Sequence, residues 1–370
     1  MTKLEDLHNL HGQSPWLDNL RRDWLTDGEM AAWISRGVRG VTSNPSIFQK
    51  AMTTGNAYDA QFGELVRTGV PVVDAFWKMA VSDIKEALGL FEPMHTASGG
   101  TDGFVSIELA PDLARDTEGS VTAARRLAGE INAPNLLIKV PATAAGIPVI
   151  RTLVGEGCNL NVTLIFGLAR YREVMEAYLS GLEDRVAAGH SDLSTARGVA
   201  SFFVSRVDTE IDRRLDELGA PDALALRGKA AVSQSKLAYR HFLETFAGPR
   251  WDALARLGAH VQRPLWASTS TKNPAYSPTL YVDTLIGPDT VNTIPESTLV
   301  QFEQSGTVAS TLGAHLAEAE QVMADLETLG IDIAEVSAVL EEEGVVAFAK
   351  AFDELMGALH TKAGAILARS

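Results

Sequence analysis

Apolar and polar residues follow one another along this chain in a repeating order. Short apolar or β-branched runs are followed by a polar segment, and then by a stretch whose apolar positions recur every three or four residues. Runs of the first kind are typical of strands and stretches of the second kind of amphipathic helices, so the order predicts βα units with parallel strands. The predicted strands are 15–20, 40–43, 104–109, 135–140, 159–164, 199–205, 261–268 and 290–294. The clearest helices are predicted at 73–90, 120–131, 169–188 and 229–246.

Eight strand–helix units favour a (β/α)8 barrel, because a doubly wound sheet usually ends at about six strands. Two connections are long: 44–103, with a flexible end at 95–103, and 207–260, which has a helical pattern. We expect both at the barrel mouth. Beyond residue 300 the chain is rich in Ala, Leu and Glu and has no Pro- or Gly-rich linker. The prediction is one α/β domain over 1–370, a TIM barrel with a helical insertion at about 207–260 and C-terminal helices at about 300–370.

Composition excludes several classes of partner. The net charge is −15 and no Lys/Arg-rich run occurs, which argues against nucleic acid, and no apolar run approaches the roughly 18 residues that a membrane span needs. The lone Cys158 cannot form an internal disulfide, so we expect a cytoplasmic protein. The eight histidines form no zinc motif, and the chain has neither a P-loop nor a glycine-rich dinucleotide motif. We therefore predict no metal and no cofactor.

Polar residues that end apolar strands are the candidates for chemistry, because the carboxyl ends of barrel strands form the active site. Lys139 is the clearest of them, since the rest of the run NLLIKVP at 135–141 belongs in a core. A buried ammonium is costly unless it is paired or deprotonated. Lys139 is therefore either a structural lysine at a strand edge or in an ion pair, or a nucleophile that forms a Schiff base. In the second case, cations such as Arg206 and Lys272 would favour its free amine.

Two carboxylates are also embedded in predicted strands. Glu108 lies in FVSIEL at 104–109, and Asp18 lies in PWLDNL at 15–20. Each alone could be a structural partner of an arginine or a backbone cap. Beside a strand lysine they could instead divide acid and base work, because forming an imine and cleaving a carbon–carbon bond both require proton transfers.

The segment TSNPS at 42–46 is typical of a helix start, with Asn or Ser as the cap and proline near the first turn, and we expect Ser46 to have a capping role. Asn44 and Asn161 could orient substrate hydroxyls, although asparagine at a strand end is also a common turn former.

Three motifs in the same order resemble those of transaldolases: GVTSNPS at 40–46, NLLIKVPAT at 135–143 followed by Gly146 and Ile147, and CNLNVTLIF at 158–166. The resemblance extends from Asp18 through the seventh strand. The insertion at 207–260 and the loop WASTSTKNP at 266–274 are similar to the longer bacterial branch of that family.

This resemblance implies a class I aldolase-type transferase of the pentose phosphate pathway. It would move a dihydroxyacetone unit from sedoheptulose 7-phosphate to glyceraldehyde 3-phosphate, giving erythrose 4-phosphate and fructose 6-phosphate. It also implies that Lys139 forms the Schiff base, that Glu108 works with a water oriented by Thr163, and that Asp18 takes the proton from the hydroxyl at the cleaved bond. Donor-binding residues implied in the same way are Asn44, Asn161, Ser201, Phe203 and Arg206.

The chain differs from many members of that family where the substrate phosphate is expected to bind. Many shorter transaldolases have an arginine after the seventh strand, whereas this chain has STSTK at 268–272. Lys272 can supply a point charge but lacks the two-pronged geometry of arginine. Two other functions stay open: a fructose 6-phosphate aldolase, which in shorter relatives uses a tyrosine where this chain has Phe203, and a non-catalytic barrel that binds sugar phosphates. The sequence leaves monomer and homodimer open.

Overall fold

Eight parallel strands form a closed barrel in sequence order. The computed structural model of the protein describes residues 2–368. The strands are β1 (Gln13–Leu17), β2 (Gly40–Val41), β3 (Phe104–Glu108), β4 (Leu136–Pro141), β5 (Leu160–Ile165), β6 (Gly198–Phe203), β7 (Gln262–Ala267) and β8 (Thr290–Ile294). The predicted barrel is confirmed, with one shift that concerns the site. Strand β1 ends at Leu17, so Asp18 follows the strand instead of lying within it.

Helices surround the barrel and fill the long connections. They are α1 (Lys3–His11), α2 (Arg22–Asp27), α3 (Glu29–Ser35), α4 (Pro45–Thr53), α5 (Asp59–Arg67), α6 (Val72–Ala97), α7 (Thr117–Ile131), α8 (Gly146–Gly155), α9 (Leu168–Ala187), α10 (Ser205–Leu218), α11 (Pro221–Leu224), α12 (Ala230–Thr245), α13 (Gly248–Ala255), α14 (Leu280–Thr284), α15 (Glu296–Ser305), α16 (Leu316–Thr328) and α17 (Ile333–Leu367), with a 3-10 turn at Pro111–Arg115. Helix α6 continues through Pro93 to Ala97, so the segment expected to be flexible begins later. None of the described helices is long and apolar enough to cross a membrane.

Strand β1 pairs with its two neighbours in the barrel over very different lengths. Strand β1 pairs with β8 over five residues, from Gln13 to Leu17, but with β2 only between Leu17 and Val41. Trp16 fills the space beside the short β2. A Cβ atom on Gly40 would lie only 2.6 Å from the Trp16 ring, so only glycine fits at this position.

The amino ends of the strands are closed by a buried ion network. Asp102 is 1% exposed, receives a hydrogen bond of 2.7 Å from Arg39 Nε and lies 3.3 Å from Arg263 Nη2. Burial alone would raise the pKa of Asp102, but Arg263 and Arg39 hold that pKa below its ordinary value. In a barrel of this kind, this face contributes to stability and the opposite face to chemistry.

Helix α17 crosses the opposite face. With 35 residues it is about 50 Å long. Its first turns contact β5 and α10, and its later turns pack on α4, α5 and α6. Leu340, Phe348, Leu355 and Leu359 on this helix are buried. The helix therefore covers the carboxyl ends of the strands.

Candidate active site

A cavity of about 130 Å³ lies under α17 at the carboxyl ends of the strands. Eight of the ten site residues predicted from the sequence line it: Asp18, Asn44, Lys139, Thr163, Ser201, Phe203, Arg206 and Lys272. The other two, Glu108 and Asn161, are buried beside or beneath it.

Lys139 and Glu108 form a buried pair. They stand at matching positions on the neighbouring strands β4 and β3, which brings Lys139 Nζ to 2.9 Å from Glu108 Oε2. The two residues are only 5% and 8% exposed. Lys139 Nζ also donates a hydrogen bond of 3.3 Å to the carbonyl of Ser43. The closest charge to this lysine is thus a carboxylate, whereas the sequence reasoning expected the cations Arg206 and Lys272.

Burial has the largest effect on the pKa of Glu108. It raises the pKa of the Glu108 carboxyl above its ordinary value; the charge of Lys139 opposes this shift and that of Asp18 adds to it. A carboxylate with a raised pKa is a better proton acceptor. Its contact of 2.9 Å with Lys139 Nζ therefore places Glu108 where a proton acceptor for this lysine would have to be.

Asp18 is a second carboxylate with a different environment. It follows β1 and receives a hydrogen bond of 2.7 Å from Thr42 Oγ1, which in turn lies 2.6 Å from Thr293 Oγ1. Burial raises the pKa of Asp18, and the charge of Lys139 opposes that shift. Asp18 is half-buried and borders the cavity, so it can exchange a proton with a bound molecule.

Strand β5 departs from regular geometry at the site. Leu164 has a φ of 61°, a left-handed conformation that costs a non-glycine residue about 1 to 3 kcal/mol, and the register with β6 shifts between Val162 and Ile165. The preceding Thr163 lines the cavity, and its buried Oγ1 has no hydrogen-bond partner among the described residues. A water or a substrate hydroxyl in the cavity could bond to this oxygen.

The two asparagines have different roles. Asn44 lines the cavity and caps α4, its Oδ1 accepting a hydrogen bond of 2.9 Å from the backbone N–H of Ile47. Of the two residue types expected at the cap, the asparagine is the one that caps the helix: Asn44 has the extended backbone of a capping residue and Pro45 occupies the first helical position. The capping role expected of Ser46 is wrong, because Ser46 lies within the helix. The cap fixes the side chain, and the amide N–H groups remain for a ligand.

Asn161 does not line the cavity, and the donor-binding role that the resemblance implied for it stays a prediction. It is fully buried, accepts a hydrogen bond of 2.7 Å from Ser201 Oγ and donates one of 3.1 Å to Ser106 Oγ. Its oxygen is thereby engaged within the protein. Asn161 supports Ser201 from below, and Ser201 is the residue of this pair that borders the cavity.

Two cations stand at one end of the cavity. The half-buried guanidinium of Arg206 lies 5.5 Å from the centre of the Phe203 ring and forms no salt bridge or hydrogen bond among residues 2–368. Burial lowers the pKa of Arg206, and the charge of Glu343 on α17 opposes that shift. Lys272 Nζ donates a hydrogen bond of 2.6 Å to Ser270 Oγ. Both cations line the cavity, and burial and the charge of Arg206 both lower the pKa of Lys272. Such a pair favours the binding of an anion.

Some site residues were missed in the sequence. Thr42 and Thr293 orient Asp18, and Ser106 orients Asn161. Thr42 falls within a motif that was recognised, but small hydroxyl residues in strands carry no signal of their own. Phe348 on α17 also lines the cavity, with its ring centre 5.6 Å from Lys139 Nζ. Nothing in its helical surroundings distinguishes it from an ordinary core residue.

A larger hollow of about 950 Å³ lies between α9, α16 and α17. Its floor is apolar, with residues such as Phe166, Leu237 and Met323, and Glu173, Glu320 and Glu341 stand among its lining. None of the predicted site residues lines it. The chemistry available in the smaller cavity therefore marks that cavity as the candidate active site.

Known proteins resemble the chain over almost its whole length. A family model described as transaldolase/fructose-6-phosphate aldolase matches residues 15–359. A protein named transaldolase 1 from Streptomyces avermitilis is 49% identical over 362 residues, which cover 97% of this chain and 96% of that protein. A transaldolase from Mycolicibacterium smegmatis is 49% identical over 349 residues, 94% of each chain. One from Thermobifida fusca is 47% identical over 347 residues, 93% of this chain and 94% of the other.

Proposed function

Because the chain belongs to the transaldolase/fructose-6-phosphate aldolase family, we propose that it transfers a dihydroxyacetone unit from sedoheptulose 7-phosphate to glyceraldehyde 3-phosphate through a Schiff base on Lys139. Membership confirms the resemblance of its motifs and, with it, the predicted enzyme class, a transaldolase. The products are erythrose 4-phosphate and fructose 6-phosphate. The observation that carries the proposal is the buried contact between Lys139 and Glu108 at a cavity that is also lined by Arg206, which has no salt bridge among the described residues.

The first steps use this pair. Glu108 accepts a proton from Lys139, and the free amine attacks the ketone carbon of the donor. The resulting carbinolamine must lose water, which requires a proton on the departing hydroxyl. Glu108 can return its proton for this purpose because burial raises its pKa. A water bonded to the free Oγ1 of Thr163 would carry the proton between them.

Asp18 acts at the bond that is cleaved. Its carboxylate takes the proton from the donor hydroxyl next to that bond, the aldehyde product leaves, and an enamine stays on Lys139. The enamine then attacks the aldehyde carbon of glyceraldehyde 3-phosphate, and Asp18 returns the proton to the new hydroxyl. Thr42 holds the carboxylate in place for both steps.

The remaining lining residues would hold the substrate. The amide group of Asn44 and the hydroxyl of Ser201 border the cavity beside Lys139 and fit the donor hydroxyls. Arg206 and Lys272 fit the phosphate, since charge-assisted hydrogen bonds to phosphate are stronger than neutral ones. Phe203 has no hydroxyl that could assist release of free dihydroxyacetone, which favours transfer over the aldolase activity of some relatives in this family.

The proposed substrates are sugar phosphates, and no step requires a metal or an organic cofactor. We also infer a cytoplasmic location from the lone, half-buried Cys158, and one domain that unites the barrel with the insertion at about 207–260 and the helices at about 300–370.

Borohydride trapping tests the proposal. Treatment with fructose 6-phosphate and borohydride should add a reduced dihydroxyacetone unit to the protein, and peptide mapping should place it on Lys139. Lys139→Met should abolish the adduct. Lys236→Met is the matched control, because Lys236 is also buried but bonds to the carbonyl of Ala314 outside the cavity. An adduct on another lysine, or none on the wild-type protein, would refute the proposal.

A further inference from the structure

Phe348 covers the reactive pair from above. Its ring centre lies 5.6 Å from Lys139 Nζ, and its side chain is 7% exposed. The ring borders two spaces: the cavity that contains Lys139, and a void of about 10 Å³ beside Glu108, Pro141 and Leu164. It is the aromatic residue that α17 contributes to both spaces.

Side chains at the end of β5 pack closely against α17 above the site. A Cβ atom on Gly344, one helical turn before Phe348, would lie 2.9 Å from Leu164 Cδ2. The left-handed conformation of Leu164 thus accompanies a close approach of its side chain to the helix, and glycine at 344 permits that approach. Ser337 Oγ adds a hydrogen bond of 3.2 Å to the carbonyl of Phe166, just beyond β5.

Polar contacts hold α17 on both sides of Phe348. Before it, Arg170 Nε lies 3.2 Å from a carboxylate oxygen of Glu341, and Glu342 pairs with Arg115. After it, Gln49 Nε2 on α4 donates a hydrogen bond of 2.7 Å to Glu354. The ring is therefore part of a helix anchored to several elements around the mouth.

We propose that Phe348 is a positioning residue that keeps water off the covalent adduct on Lys139, so that the adduct reacts with an acceptor aldehyde instead of water. This inference depends on the Schiff base of the proposed function. The adduct carries a positive charge as an iminium, and an aromatic face within about 6 Å of a cation also attracts it.

The competing reaction balances as a hydrolysis. After cleavage, the enamine carbon takes a proton and becomes an iminium. One water adds to the iminium carbon, the carbon–nitrogen bond breaks, and dihydroxyacetone leaves while the proton returns to the lysine. With fructose 6-phosphate as donor, the net result is glyceraldehyde 3-phosphate and free dihydroxyacetone. The rate of this branch depends on the access of water, which the ring limits.

The test measures the ratio of released dihydroxyacetone to transferred product at fixed donor and acceptor concentrations. Phe348→Ala should raise this ratio by about tenfold, the change that a barrier difference near 1.4 kcal/mol produces. Phe348→Leu keeps most of the side chain that covers Lys139, so it should raise the ratio less. Phe352→Leu is the matched control: Phe352 stands one turn later on α17, packs on Phe76 with ring centres 5.5 Å apart, and should leave the ratio unchanged.

A second pair of variants keeps Phe348 and displaces the helix. Gly344→Ala places a methyl group against Leu164 and should raise the release ratio. Gly357→Ala should not, because no described residue outside the adjoining helix backbone comes within 4 Å of the added carbon. Both substitutions raise helix propensity equally, so they differ only in the contact with β5.

The outcomes are distinct. If release and transfer fall together in Phe348→Ala and Phe348→Leu, with no change in their ratio, Phe348 is only structural and the inference is wrong. If wild-type protein forms no borohydride adduct with fructose 6-phosphate, the proposed function itself fails. A raised ratio in both the Phe348 and Gly344 variants, with unchanged controls, supports the inference.

Discussion

At the scale of single residues, the site separates two carboxylates by what they touch. Glu108 contacts Lys139 directly, whereas Asp18 is bonded to Thr42 and borders the open part of the cavity. The first arrangement suits proton transfer to and from the lysine, and the second suits proton transfer to the substrate. Replacing Glu108 and replacing Asp18 should therefore slow different steps of the reaction.

Asp18→Ala should still form the borohydride adduct but turn over slowly, because imine formation does not need Asp18. Glu108→Ala should be slow both in turnover and in forming the adduct. Each should lose about 10²-fold or more in turnover, the usual effect of a positioned acid or base. Single-turnover trapping and steady-state transfer, measured side by side, check this. Turnover near that of the wild-type protein in either variant would remove that residue from the mechanism.

The sequence indicates which side chains are candidates for chemistry more clearly than it indicates their partners. A lysine or glutamate inside an apolar strand is conspicuous, so Lys139 and Glu108 stood out, and the structure brings them together. Asn44 and Asn161 look alike in the sequence, yet only Asn44 lines the cavity. Whether an amide is free depends on the residues across the barrel, such as Ser106 and Ser201, and no local pattern reveals those pairs.

At the scale of elements, Asp208 links three helices near the cationic end of the site. It lies on α10, accepts a hydrogen bond of 2.7 Å from the backbone N–H of Ala231 on α12, and accepts another of 2.9 Å from the Tyr281 hydroxyl on α14. Asp208 is 1% exposed, and burial raises its pKa from 3.8 to about 6. The folded protein therefore holds a proton on Asp208 between about pH 4 and pH 6 that the unfolded chain has lost.

This difference makes stability fall as pH rises through that window. A shift from 3.8 to about 6 corresponds to about 3 kcal/mol of unfolding free energy, present below pH 4 and lost by about pH 6. Asp208→Asn should remove that part of the pH dependence, as denaturant unfolding at several pH values can check. Asp222→Asn, at an exposed site on α11, is the control and should keep the wild-type profile. An unchanged slope in Asp208→Asn would contradict the prediction.

The elements themselves were predictable to different degrees. The eight strands appeared as apolar runs and are confirmed, because a strand buried on both faces has few polar positions. The C-terminal helices were predicted only as a helical region. That α17 crosses the mouth follows from contacts with distant elements, such as the packing of Gly344 against Leu164. The left-handed conformation of Leu164 has no signal in the sequence.

At the scale of the whole molecule, barrel closure depends on the shortest strand. Strand β2 has two residues and shares a single matched pair with β1, so the Trp16 ring takes the place of further strand contacts there. The Trp16 side chain is fully buried against Gly40. Any side chain at Gly40 must displace this ring and strain the closure of the barrel.

Gly40→Ala should lower the free energy of unfolding by about 1 to 3 kcal/mol, the usual cost of overpacking a core. The opposite sign is expected for Gly129→Ala on α7, where an added carbon meets no described residue within 4 Å outside the adjoining helix backbone and helix propensity improves. Denaturant unfolding of both variants makes the comparison. If Gly40→Ala were as stable as the wild-type protein, the Trp16 ring would not limit closure.

Because α17 follows all eight strands in the chain, the parts of the site are synthesised in a fixed order during translation. The strands and the polar residues of the cavity are all synthesised before residue 296, whereas Phe348 belongs to the helix that follows. A nascent chain can thus fold its barrel and assemble Lys139, Glu108 and Asp18 while the cover is still inside the ribosome. On the inference drawn above, the preference for an aldehyde over water is the last property that the growing chain acquires.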